Sequence, residues 1–132
     1  MITAIVQYKL PPSISQADCE RHFHMIAENF KNVKGLHRKN FIWAEDGWAG
    51  GVYLWENMDA AKAFYSGPWI DGIRARYGMD PVIRYFETSA ITDNEQVAPA
   101  IRRFNSSRAH ADDLEMRTGV AVSCNLRKSA MA

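Results

Sequence analysis

The sequence predicts an α+β domain whose strands and helices follow one another in the order βαββαβ. Three observations lead to this order. The segment Ile2–Lys9 is β-rich and nearly continuously apolar, which indicates a strand covered on both faces. The dipeptide Asp46-Gly47 between two apolar segments is typical of a hairpin turn. Gly67-Pro68 interrupts a helical pattern, and proline suits the first position of a new helix. Together they predict the ferredoxin-like arrangement, with one antiparallel sheet.

The first predicted helix follows the strand after Pro11 and Pro12. Ser15, with Asp18 three residues further on, has the spacing of a capping box. Apolar residues then recur at helical spacing, at Phe23, Ile26, Ala27 and Phe30. This stripe predicts a helix from about Ser15 to Val33.

The rest of the domain follows the same punctuation. Two strands are predicted at Leu36–Glu45 and Trp48–Glu56, and a helix from about Asn57 to Ser66. A further helical stretch covers Pro68–Tyr77, and the last strand is expected at Val82–Ile91. The adjacent glycines 50 and 51 lie inside a strand, which indicates a bulge or a close approach by a ligand or by another backbone.

Aromatic residues divide the chain into two parts. Fourteen of the fifteen Phe, Tyr and Trp residues precede position 93, and only Phe104 follows it. We therefore expect one folded domain over residues 1–95 and a C-terminal extension over 96–132, either flexible or packed on a partner. A helix near Ala109–Arg117, stopped by Gly119, fits within the extension.

Composition excludes several classes of function. The net charge is +1, and no basic cluster of the kind that binds nucleic acid or a membrane surface is present. The apolar runs are too short to span a bilayer, and no basic segment precedes the first one as in a secretory signal. Two cysteines, Cys19 and Cys124, form neither a disulfide framework nor a metal-binding spacing. We expect a cytoplasmic protein with no nucleic-acid or membrane partner.

The strands carry apolar residues at both alternating positions, for example Val6 beside Ile5 and Leu54 beside Tyr53. Two helices cover only one face of a four-stranded sheet, so the other face would leave a large apolar patch exposed. A homodimer with the two sheets face to face would bury it. The alternative is that the C-terminal extension folds over that face.

The third strand and the helix after it resemble a known family. The residues Ala49-Gly50-Gly51-Val52-Tyr53-Leu54-Trp55, followed by Asp59-Ala60-Ala61-Lys62-Ala63-Phe64-Tyr65, are similar to the YdhR-like monooxygenases. These belong to the dimeric α/β-barrel superfamily, which includes the antibiotic-biosynthesis monooxygenases. The resemblance covers about residues 1–95. It implies a ferredoxin-like homodimer with a pocket between each sheet and its helices, and oxygenation of an electron-rich small molecule without a cofactor.

Such a reaction sets requirements for the pocket. Molecular oxygen reacts slowly with closed-shell organic molecules, so without metal or flavin the substrate must supply the electron as a phenolate or enolate. The protein must then provide an apolar, water-poor space and a base or hydrogen-bond donor for the developing anion. The candidate catalytic residues are Trp55, Tyr65 and His24, with His22 as an alternative base. The resemblance places Trp55 at the end of the third strand and Tyr65 on the second helix, where related proteins often have a histidine or another polar residue. The candidate substrate-binding residues are Arg38, Asn40, Trp43, Tyr53 and Trp69.

Other functions remain open at this point. No metal ligand set is predicted. The resemblance disfavours haem, because no histidine lies between His37 and His110 and the second helix therefore has none to bind the iron. His22 or His24 could still bind haem in another geometry. The same fold could perform acid–base isomerisation, cyclisation or dehydration. It could also be a non-catalytic, stress-related binding protein. For each aromatic residue taken alone, plain core packing is the favoured interpretation.

Overall fold

A computed structural model describes residues 1–95 and 100–105. Its elements follow the predicted order, with a 3-10 turn at Ala27–Phe30 after the first helix. They are β1 (Ile2–Lys9), α1 (Gln16–Ile26), β2 (Leu36–Trp43), β3 (Trp48–Trp55), α2 (Met58–Phe64), α3 (Pro68–Tyr77) and β4 (Val82–Glu87). The predicted α+β, ferredoxin-like fold is confirmed. The first helix is shorter than predicted, because its last turn tightens into the 3-10 turn.

The four strands form one antiparallel sheet in the order β2-β3-β1-β4. On the central strand β1, Ala4 and Val6 are buried beneath the helices, whereas Ile5 and Gln7 lie on the opposite, open face. Cross-strand partners share a face. Tyr53 is opposite Ala4 and therefore faces the helices.

Strand β2 contains an irregularity that changes which residues face the helices. Leu36 pairs with Trp55 and Arg38 with Leu54, so His37 is an extra residue in the ladder. Beyond this bulge, Lys39 pairs with Tyr53 on the helix-facing side. A β-bulge of this kind re-aims the side chains that follow it.

The helices begin where the sequence predicts. The Ser15 side chain accepts from the Asp18 backbone N–H, and the Asp18 carboxylate accepts from the Ser15 N–H, which completes the predicted capping box. Asn57 caps α2 through the N–H of Ala60. Pro68 is the first residue of α3 and follows Gly67, which has a φ of 50°. These caps fix where α1, α2 and α3 start over the sheet.

Residues 100–105 lie along α1. The Phe104 carbonyl oxygen is 2.9 Å from His24 Nε2, and Arg103 Nε donates to the His24 carbonyl over 3.0 Å. Arg103 also lies 3.9 Å from the carboxylate of Glu28, and Arg102 pairs with Glu95 at 3.0 Å. The division of the chain at residue 95 stays a prediction, and the helix expected near Ala109–Arg117 lies outside the described residues.

Within the described part of the chain, no helix is both long and apolar enough to cross a membrane.

Candidate active site

A cavity of about 350 Å³ lies between the helix-facing side of the sheet and helices α1 and α3. This volume is within the usual range for small-molecule sites. Most of its wall is aliphatic or aromatic. The polar lining groups come from five elements and are Tyr8, His22, Lys39, Tyr53, Arg76 and Tyr77. The lining residues among those described include no carboxylate.

Lys39 places an amino group inside an aromatic cage. Its Nζ lies 3.5 Å from the ring centroid of Phe30, 4.1 Å from that of Phe41 and 4.6 Å from that of Tyr53. Within the described residues, no carboxylate forms an ion pair with it. The side chain is half-buried, and desolvation among these rings lowers the pKa of Lys39 well below its usual range.

The two adjacent positions 50 and 51 of β3 are occupied by glycine for different structural reasons. A Cβ on Gly50 would lie 1.8 Å from the Val6 carbonyl oxygen, so the neighbouring strand requires glycine there. A Cβ on Gly51 would lie 2.9 Å from a ring carbon of Tyr53 and 3.0 Å from Cε of Lys39. Gly51 therefore leaves the space that the lysine stem occupies. The close approach expected of these glycines is present, and the bulge lies in β2.

Three tyrosines present phenol groups to the cavity. The rings of Tyr8 and Tyr77 stack with centroids 3.9 Å apart, and Arg76 Nε donates to the Tyr77 hydroxyl over 3.2 Å. Burial raises the pKa of Tyr8, Tyr53 and Tyr77 above their usual values. These phenols therefore stay protonated near neutral pH and act as hydrogen-bond donors.

Trp55 and Tyr65 lie behind the cavity wall. Trp55 Nε1 donates to the Tyr65 hydroxyl over 3.0 Å, and both side chains belong to the buried core. Neither lines the cavity. The Trp55 ring stacks on Tyr53 with centroids 5.8 Å apart, and the Tyr65 ring lies 4.8 Å from that of Trp69. The pair therefore supports the two predicted binding residues, Tyr53 and Trp69, which do line the cavity.

The two histidines of α1 face different surroundings. His22 lines the cavity, and burial, with a smaller effect from the charge of Arg76, lowers its pKa. His24 does not line it and instead contacts the backbone of Phe104. His22, the alternative base, therefore lies at the cavity, and His24, the candidate named first, does not.

The other predicted binding residues do not line this cavity. Arg38 and Asn40 pair with Leu54 and Val52, so both belong to the open face of the sheet. The Asn40 Oδ1 atom is buried and has no hydrogen-bond partner among the described residues. Trp43 packs in the core cluster around Tyr8 and Cys19. The sequence alone does not show the bulge at His37 that separates Arg38 from the cavity.

A second cavity, of about 300 Å³, lies at the edge of β2. Its wall includes Arg38, His37 and Lys31, and Ala100 and Ile101 from the segment beside α1 complete it. Phe30 and Lys39 line both cavities and separate them. Among the described residues, no three His, Cys, Asp or Glu side chains are grouped closely enough to hold a metal ion.

Sequence reasoning missed Lys39, Tyr8, Tyr77 and Arg76. A signal for Lys39 does exist in the sequence, because it alternates with Phe41 and Trp43 along a strand whose helix-facing positions are otherwise apolar. A lysine at such a position is rarely buried without a function or a partner.

Comparison with known proteins identifies the fold. Neither the protein-family models nor the curated proteins give a match. Solved structures do. A candidate antibiotic biosynthesis monooxygenase from Deinococcus radiodurans is 15% identical to this chain and superposes with a TM-score of 0.52. The match covers 73% of this chain and 100% of the Deinococcus chain. A second candidate, from Caulobacter crescentus, is 23% identical, with 67% and 90% coverage and a TM-score of 0.52. This chain shares their fold.

SnoaB, a cofactor-independent oxygenase from Streptomyces nogalater, has the same fold. The two sequences are 16% identical, and the structures superpose with a TM-score of 0.51. The match covers 68% of this chain and 94% of SnoaB. The fold predicted from the YdhR-like resemblance is therefore confirmed by three oxygenase-type structures, while the chemistry has to be argued from the site.

Proposed function

We propose that this protein is a cofactor-independent monooxygenase of the YdhR-like type, acting on an electron-rich phenolic or enolisable small molecule. The observation that carries the proposal is the cavity between the sheet and the helices. It combines an aromatic wall with three protonated phenols, the basic side chains of Lys39 and Arg76 and, among its described lining residues, no carboxylate. Such a site favours a substrate that becomes an anion during the reaction.

The chemistry requires no group beyond substrate, oxygen and this wall. A phenolate or enolate passes one electron to oxygen, and the resulting radical and superoxide combine to form a carbon–oxygen bond. Where the attacked carbon is a methylene between aromatic rings, the substrate supplies all the electrons. One oxygen atom then ends in a new carbonyl and the other in water. The phenols of Tyr8 and Tyr53, which both line this cavity, would donate to the developing oxyanion, an effect that typically contributes about 10²–10³-fold per donor.

The roles of the residues predicted from the sequence follow from their positions. Tyr53 and Trp69 would bind the substrate directly, since both line the cavity. Trp55 and Tyr65 would act through them, because they pack behind that wall. His24 would hold residues 100–105 on α1 rather than take a proton.

The test is oxygen uptake with a panel of anthrones and polyphenols, with metals chelated and no flavin added. Gly72 lies on the cavity side of α3, and a Cβ there meets no atom within 4 Å. Gly72→Leu should therefore fill part of the cavity and lower uptake by about tenfold or more. Ala75→Leu is the matched control on the exposed side of the same helix.

Each outcome of this test has a clear meaning. No uptake by the wild type on any panel member, with turnover of an enolisable ligand under nitrogen, would favour an acid–base enzyme. Uptake that Gly72→Leu leaves unchanged would place the reaction outside this cavity.

We also propose that two copies pair through the open faces of their sheets. Ile5, Val52 and Leu54 form the apolar centre of that face, and Phe86 on β4 is 38% exposed. The unpartnered Oδ1 of Asn40 lies on the same face. Light scattering should give about twice 15.0 kDa. Ile5→Lys should yield monomers or unfolded protein, because it buries an unpaired charge, and a monomeric wild type would refute the pairing.

A further inference from the structure

We propose that Lys39 is the base that takes the proton from the phenol or enol oxygen of the substrate. The inference rests on the proposed oxygenase function, which requires an anion, and it adds the group that produces this anion. It also specifies the substrate class: weakly acidic phenols or enols that enter the cavity neutral and are ionised there.

The position of the amino group is the first argument. Lys39 lies on the helix-facing side of β2, opposite Tyr53, and lines the cavity. Gly51 on the neighbouring strand leaves room for its stem, since a Cβ there would lie 3.0 Å from Lys39 Cε. The half-buried Lys39 side chain therefore forms part of the cavity wall, where it also borders the second cavity.

The aromatic cage is the second argument, because it suits a group that changes its charge. At rest, desolvation among the rings keeps the pKa of this half-buried amine well below the usual range. After it takes a proton, the ring faces of Phe30 and Phe41, with centroids 3.5 and 4.1 Å from Nζ, stabilise the ammonium ion by cation–π attraction. The substrate anion beside it becomes its counter-ion.

The other groups around the cavity do not compete well for this proton. The phenols of Tyr8, Tyr53 and Tyr77 have raised pKa values and are donors at neutral pH. Arg76 on α3 is a permanent cation, which assists anion formation without accepting a proton. His22 on α1 is the remaining candidate, and its ring lies 6.5 Å from that of Phe23, whereas Lys39 Nζ lies 3.5 Å from the ring centroid of Phe30.

The step is a simple proton transfer. The substrate O–H bond breaks, an N–H bond forms on Lys39 Nζ, and the electron pair of the broken bond stays on the substrate oxygen. No oxidant takes part, so this step can be observed without oxygen.

The experiment uses 4-nitrophenol under anaerobic conditions, because its phenolate absorbs visible light. At a pH where the free probe is mostly neutral, the wild-type protein should bind it as the phenolate. Lys39→Met keeps an unbranched side chain that is one atom shorter, and it removes the base. The phenolate-to-phenol ratio of the bound probe should fall about 10- to 1000-fold, as expected when an opposite charge nearby is lost.

Lys62→Met is the matched control. Lys62 also faces an aromatic ring, that of Tyr85 at 5.5 Å, but it does not line the cavity. This variant should give the wild-type spectrum. A wild type that shows no bound phenolate, or a Lys39→Met variant with the wild-type ratio, would overturn the proposal.

A second measurement needs no variant. In protein labelled with ¹³C at lysine Cε, one of the six lysines should show the shift of a neutral amine near neutral pH and move to the ammonium shift when the probe binds. Six ammonium signals at that pH would also refute the role of Lys39. If bound phenolate forms but oxygen uptake is never seen, the oxygenase function is refuted and the role of Lys39 as a base is still supported.

Discussion

The hydrogen bond between Trp55 and Tyr65 offers a direct test of whether this pair supports the core or takes part in the reaction. Trp55 is fully buried and its Nε1–H donates to the Tyr65 hydroxyl over 3.0 Å. Tyr65→Phe removes the acceptor and keeps the ring, which contacts the Trp55 ring at 5.6 Å in an edge-on geometry. The substitution thus isolates one buried hydrogen bond.

The magnitude follows from burial. A buried donor left without an acceptor costs about 1–3 kcal/mol of stability. In a domain of this size, each kcal/mol lowers Tm by about 4–8 °C. In a Trp55→Phe background the donor is already absent, so the same Tyr65→Phe change should cost less than about 1 kcal/mol. The difference between the two backgrounds, about 1 kcal/mol or more, is the coupling energy of the pair.

The assay is urea unfolding followed by far-UV circular dichroism, which does not depend on the tryptophan that is changed. Oxygen uptake of Tyr65→Phe should stay within a few-fold of the wild type, because the hydroxyl does not reach the cavity. A cost below about 0.5 kcal/mol, equal in both backgrounds, would refute the reasoning. A 10- to 1000-fold loss of rate at unchanged stability would instead show that Tyr65 stabilises the reacting anion.

Three further predictions concern stability and reactivity. Gly50→Ala should destabilise the fold more than Gly51→Ala in urea titrations, because the new Cβ meets a backbone oxygen at 1.8 Å rather than side-chain atoms at 2.9 and 3.0 Å; equal costs would contradict this. Burial raises the pKa of the Cys19 thiol from 9.0 to about 11, so at pH 8 iodoacetamide should modify it about a hundredfold more slowly in folded than in urea-unfolded Cys124→Ser protein. Any stability that this shift adds is present below pH 9 and is lost as the pH rises through about 11, and comparable alkylation rates would argue against burial. Truncation after Glu95 should give a Tm a few degrees lower than truncation after Asn105, since only the shorter chain loses the contacts of Arg102 and Arg103. The same Tm for both would show that these contacts add no stability.

The sequence predicts the fold well because its strongest signals act locally. The capping box at Ser15 and Asp18 needs only a spacing of three residues, and the helix start at Pro68 needs only the preceding glycine. These signals specify where elements begin. They do not fix where a helix tightens, and so the predicted end of the first helix extended past the 3-10 turn at Ala27–Phe30.

The candidate site is harder to predict because side-chain direction depends on register. An uninterrupted β2 would put Leu36, Arg38 and Asn40 on one face, but the bulge at His37 leaves Leu36 facing the helices and turns Arg38 and Asn40 to the other side. The same bulge aligns Lys39 with the cavity. Tyr53 and Trp69, two of the predicted binding residues, line this one cavity, from the third strand and from the helix that follows the Gly67-Pro68 break.

The packing of Gly51 against Lys39 has a consequence for how this sequence can change. The smallest residue on β3 faces one of the longest on β2, and any Cβ at position 51 would lie 3.0 Å from the lysine stem. The two positions are therefore epistatic: a larger residue at 51 needs a shorter residue at 39 as well as a shift of the Tyr53 ring, which would lie 2.9 Å from the new Cβ. In a library that randomises both positions, folded variants should combine glycine at 51 with a long side chain at 39, or a bulkier residue at 51 with a short one at 39. A lysine at position 39 would therefore be acceptable only after glycine was present at position 51.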